Sequence, residues 1–117
     1  MKPGDIVWVE LPAASGREQS GRRPAIILQD EAYASGNPLV TVIPITSAVA
    51  ATRFAGTLVL EPNAINHLRQ TSVALVFQIR AVDRRIVGEK IGEVMPDQRT
   101  EIYTLLDRLT GHPRTIP

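Results

Sequence analysis

The side chains best suited to chemistry lie in one run, Gly16-Arg17-Glu18-Gln19-Ser20-Gly21-Arg22-Arg23-Pro24. Its glycines let the backbone approach a ligand closely. Arg23 precedes a proline, which pushes it into extended geometry where a strand begins. A loop with arginines at its exit and Glu18 and Gln19 inside it could hold a phosphate group. A second cluster, Pro44-Ile45-Thr46-Ser47, puts hydroxyls just past a strand end, where they can donate to a phosphoryl oxygen. Taken alone, the first cluster is also what a solvated loop looks like, and the second an ordinary strand end.

The elements that must position these residues are short strands separated by turn residues. Asp5 to Leu11 mixes apolar and polar residues at strand length. Pro12 to Arg22 reads as a loop, and Pro24 to Leu28 as a buried strand. Leu39 to Ile45 is rich in Val and Ile, and Pro44 marks its end as an edge or a bend. Thr57 to Leu60, Ser72 to Ile79 and Ile86 to Val94 are further strand candidates, the last weakened by Gly88 and Gly92. From Asp97 the pattern changes. Ile102, Leu105, Leu106 and Leu109 follow the spacing of an amphipathic helix. Pro96 and Asp97 suit its start and Gly111 its stop. The fold class expected is mainly β with α: a small barrel closed by a C-terminal helix, in one domain spanning residues 1–117, with 112–117 frayed.

Composition narrows the function only by exclusion. With 117 residues, 44% hydrophobic and 21% charged, the chain reads as globular. It has no cysteine, so disulfides, thiolate metal sites and a cysteine nucleophile are ruled out. His67 and His112 follow no ligand spacing, and no metal or other cofactor is expected. His67 reads as a turn residue away from the motifs. Net charge is +1, spread evenly along the chain, which argues against a basic tail gripping duplex DNA. A local site for single-stranded RNA, built of a few arginines and stacking groups, stays open. No export signal or membrane-length apolar run is read, so the expected location is cytoplasmic.

The ordered motifs carry a resemblance. Gly4-Asp5-Ile6-Val7-Trp8-Val9, followed by Gly16-x-Glu18-Gln19-x-Gly21-x-Arg23-Pro24, resembles the opening of MazF/PemK toxins. Thr41 to Thr46, ending Pro44-Ile45-Thr46, resembles that family's next strand, and Gln78 to Asp83 its internal strand and turn. Ile91-Gly92 and the final helix follow in the expected order. The similarity runs from about Pro3 to Leu109. The chain departs from the pattern at Phe77, where many relatives carry an acidic residue. An aromatic there could stack on a base or fill the core, and it bears on the cleavage motif.

The resemblance implies an SH3-like barrel with a closing helix, in a homodimer. It implies a toxin of a toxin–antitoxin pair that cuts single-stranded RNA at short motifs without metal, blocked by a cognate antitoxin protein. The products would carry 2′,3′-cyclic phosphate and 5′-hydroxyl ends. It also makes Arg23 and Thr46 a catalytic pair, Arg23 holding phosphoryl oxygens with two donors and Thr46 adding a hydroxyl. Arginine is a poor base because its guanidinium stays protonated. Glu18 is the better candidate for base, or else it orients an arginine. Gln19, Ser47, Arg53 and Gln78 are plausible RNA contacts, Arg17 and Arg22 could steer phosphate, and Trp8 and Phe54 could stack on bases, although Trp8, in its strand, reads rather as core. A non-catalytic SH3-like binding module and a protein-targeting poison like the gyrase-directed CcdB toxins are the competing readings.

Overall fold

The computed structural model describes residues 1–13, 15–16, 18–33 and 35–112. Arg17 and the tail beyond His112 lie outside the described residues. His112 itself is tied back, its N–H donating to Asp107 O at 2.9 Å. Seven strands and one α-helix form the described chain: β1 (Asp5–Leu11), β2 (Gly21–Ile27), β3 (Leu39–Thr46), β4 (Thr57–Leu60), β5 (Ser72–Leu75), β6 (Arg80–Asp83), β7 (Val87–Glu93) and α1 (Pro96–Thr110). The strands pair antiparallel in the order β4-β5-β3-β2-β1-β7, with β6 added to β3. The end strands β4 and β7 do not pair with each other, so the expected barrel is present as a barrel-like sheet.

Strand alternation explains the apolar runs. Val7, Val9, Ala25, Ile27, Val40 and Val42 fill one face of the central strands. Ile6, Ile26, Ile43 and Ile45 fill the other, together with Leu60, Val76 and Ile102 of α1. Where both faces are covered, as over Ala25–Ile27 of β2 and Val42–Ile45 of β3, the sequence is continuously apolar. Replacing Ile26, which has no exposed surface, by Ala would cost about 2–5 kcal/mol.

Pro44 marks a bend rather than an edge. β3 lies inside the sheet, with Ala25 of β2 opposite Pro44. On its other side it changes partner: Leu39–Val42 pair with β6, and Ile45–Thr46 pair with β5. Leu28 N–H donates to Thr41 O at 3.0 Å, so the ladder's alternation aims the missing N–H of Pro44 away from β2. It falls in the gap between the two partners. The segment 72–79, expected as one strand, breaks at the same place, with a 3-10 turn at Val76–Gln78. Helix α1 starts and stops as its sequence suggests. Met95 N–H donates to Gln98 Oε1 at 2.9 Å, and Gly111 adopts a left-handed φ of 70°.

Candidate active site

A groove of about 600 Å³ opens where β2, the end of β3, the loop before β5 and β7 meet. Arg22, Arg23, Thr46 and Ser47 line it, so the two clusters singled out in the sequence share one wall. Arg23 sits on β2 opposite Val9, and its Nε donates to Ser20 O at 3.1 Å. That bond fixes the stem of the side chain. No other partner among the described residues takes its two terminal nitrogens, which form the fork suited to phosphoryl oxygens. Thr46 is 4% exposed, at the last position of β3. Its Oγ1 accepts the Ala48 N–H at 3.1 Å, which leaves the hydroxyl proton to donate into the groove. Arg22 lies over the Trp8 ring, 4.2 Å from ring centre to guanidinium carbon. Trp8 is therefore half-buried groove wall rather than core, held in a cation–π stack.

The remaining expected residues lie elsewhere. Glu18 is exposed and off the groove wall, its Oε2 accepting the Gly16 N–H at 2.9 Å. Gln19 and Gln78 are joined, Gln19 N–H donating to Gln78 Oε1 at 2.9 Å. Arg80 clamps both, through Gln78 Oε1 at 3.1 Å and Gln19 O at 3.2 Å. Gln19, Phe77 and Gln78 line a smaller recess of about 280 Å³ with Ala51, Phe54 and Leu75. Phe77 is 37% exposed, with its ring 5.8 Å from that of Phe54, so it is neither free nor core. Arg53 stacks on Phe54 at 4.8 Å.

Part of the groove was not foreseen. His67, Arg69 and Gln70 from the loop after β4, and Lys90 from β7, complete its walls. His67 therefore lies on the groove, contrary to the expectation that it sits away from the motifs. The loop is built by paired asparagines. Asn63 Oδ1 accepts the N–H groups of Ile65 and Asn66 at 2.8 and 2.7 Å. Asn66, 1% exposed, accepts from Asn63 and Leu68 N–H on Oδ1 and donates to Glu61 O at 2.8 Å. Asparagines commonly bond nearby backbone in this way, and the Asn63-x-x-Asn66 spacing was the available signal.

The groove is cationic. Lys90 is partly neutralised, with Glu93 at 3.0 Å and the buried Asp5 at 3.3 Å. Those carboxylates, Glu93 first, hold the Lys90 ammonium above the ordinary lysine range. Among the described residues, no group of three or more His, Asp or Glu side chains converges as metal ligands would. No helix among them is long and apolar enough to cross a membrane.

The curled antiparallel sheet with its closing helix is the fold of a class of small toxins. The sequence model described as PemK-like, MazF-like toxin of type II toxin–antitoxin system matches residues 2–110. An endoribonuclease MazF of Staphylococcus saprophyticus is 28% identical over 111 residues, covering 95% of this chain and 92% of that protein. The crystal structure of MazF from Deinococcus radiodurans superposes with a TM-score of 0.79 at 30% identity, over 95% of this chain and 96% of that one. A MazE–MazF structure from the same organism matches at a TM-score of 0.73 and 28% identity, over 97% of each chain. The chain belongs to this PemK-like, MazF-like toxin family and is an endoribonuclease toxin of a type II system.

Proposed function

We propose that the chain cuts single-stranded RNA at a short sequence motif without a metal ion, using the substrate's own 2′-OH as nucleophile. The observation that carries this is the convergence of Arg23 and Thr46, from different strands, on one groove with donors facing it. In-line attack puts charge on the phosphoryl oxygens. The Arg23 fork and the Thr46 hydroxyl offer fixed donors for that charge, the type of stabilisation that usually dominates. Arg22, Arg69 and Lys90 attract the RNA backbone into the groove. Glu18 is exposed, and its carboxylate accepts the Gly16 N–H within its own loop, off the groove wall.

Gln19, Gln78, Phe77 and Arg53 form the part that reads bases, with Ser47 and Arg17 as further RNA contacts. The recess with its aromatic pair suits stacking, and the amides suit hydrogen bonds to base edges. The active form is a homodimer in the cytoplasm. The exposed apolar group of Phe54, Phe77 and Leu109 around Gly56 supports a second copy as partner, and a solution mass of one chain would sink that part. A cognate antitoxin protein covers the site, by analogy with the MazE–MazF assembly of the Deinococcus relative. Mapping product ends tests the chemistry. Cyclic phosphates and 5′-hydroxyls fit 2′-OH attack, whereas 5′-phosphates would contradict it.

A further inference from the structure

The proposed reaction, on which this inference rests, must take a proton from the ribose 2′-OH, and most of the groove cannot accept one. Arg22 and Arg23 reach it from β2, Arg69 from the loop before β5 and Lys90 from β7. All are hydrogen-bond donors with no acceptor atom to offer. Asp5 and Glu93 are engaged by Lys90 and do not line the groove. Glu18 is turned toward Gly16. Among the described groove residues, His67 alone carries an imidazole, whose unprotonated ring nitrogen can accept a proton.

Its placement is costly, and the fold enforces it. His67 has a φ of 55°, the one described non-glycine residue in the left-handed region. Such strain persists only where surrounding structure over-determines it, and it clusters at functional sites. Here the Asn63–Asn66 clasp fixes the turn, with His67 N–H donating to Asn63 O at 3.1 Å. The loop lies so close to β7 that a Cβ on Gly92 would stand 2.5 Å from Asn66 O.

We infer that His67 is the proton acceptor of the cleavage step. The neutral imidazole takes the 2′-OH proton as the 2′-oxygen bonds to phosphorus. The bond from phosphorus to the 5′-oxygen breaks, and that oxygen takes a proton from water in the open groove. The imidazolium then returns its proton to solvent.

The test compares the full chain, His67→Gly and Arg23→Ala on a single-stranded RNA that the parent cuts. Binding is measured with the same RNA carrying 2′-deoxyribose at the mapped cut, which cannot react. Glycine suits a positive φ, so His67→Gly should melt no earlier than the parent. It should bind the unreactive RNA as the parent does, yet cleave it about 100-fold more slowly or worse in its reactive form. The variant's rate should lose the pH dependence that the parent shows, and added imidazole should restore part of the rate. Parent-like cleavage with an unchanged pH profile would overturn the inference, and so would a loss confined to binding. Both results leave the nuclease reading standing, because that reading fails only if the parent chain cuts no RNA.

Discussion

Asn66 lies against Gly92 so closely that position 92 has no room for a side chain: an added Cβ would meet Asn66 O at 2.5 Å and Ile65 O at 2.6 Å. These neighbours are backbone atoms and cannot rotate away. The loop over the groove is thus docked on β7 by the absence of a side chain, and Glu93 N–H completes the contact by donating to Ile65 O at 3.1 Å.

Gly92→Ala should therefore destabilise the chain by about 1–3 kcal/mol, the usual cost of overpacking. It should also slow RNA cleavage, because His67 and Arg69 move with the loop. Denaturant unfolding and a cleavage assay read the two effects. Parent-like values in both would show that the loop is not held as described.

Gln78 anchors the β1–β2 loop from far away in sequence, by accepting the Gln19 N–H at 2.9 Å. Gln78→Ala removes that acceptor. Folding stability should fall by about 1–3 kcal/mol, because the Gln19 N–H and the Arg80 guanidinium both lose the acceptor they share. RNA binding should weaken more visibly, with faster proteolysis between Pro12 and Ser20. A variant that binds RNA normally would separate this anchor from recognition.

Asp83 gives a pH signature unrelated to catalysis. The Arg85 guanidinium, and then the Arg85 backbone N–H, hold its carboxyl down at about 2, against an ordinary 3.8. A folded-state value below the unfolded one means stability that is present above 3.8 and lost as pH falls toward 2. Asp83→Asn should differ from the parent in urea midpoint at neutral pH, with the gap closing across that window. The pair is exposed, so the gap should be small. A gap that persists unchanged at pH 2 would contradict the assignment.

The scaffold and one wall of the site were legible because they depend on local patterns. β1 and β4 follow their apolar runs to the residue, and Gly111 ends α1 because its left-handed φ suits glycine. Arg23 and Thr46 stood out by their positions beside prolines and strand ends. The other wall depends on long-range geometry. His67 reaches the groove through a clasp of asparagine side chains and a contact with Gly92, far along the chain, and periodicity carries neither. The strand expected over 72–79 stops at Leu75 because β3 changes partner at Pro44, a tertiary constraint that overrides the β preference of Val76 and Phe77.

The central claim is that Arg23 and the groove around it cleave RNA unaided by metal. It is tested most directly by incubating the purified chain and Arg23→Ala with a long single-stranded RNA in EDTA. The account predicts discrete cuts by the parent and a rate lower by about 10²–10³ in the variant, which loses a preorganised donor. Both should melt alike, since the Arg23 side chain donates only to Ser20 O among the described residues. Cleavage abolished by EDTA, or undiminished in Arg23→Ala, would contradict it.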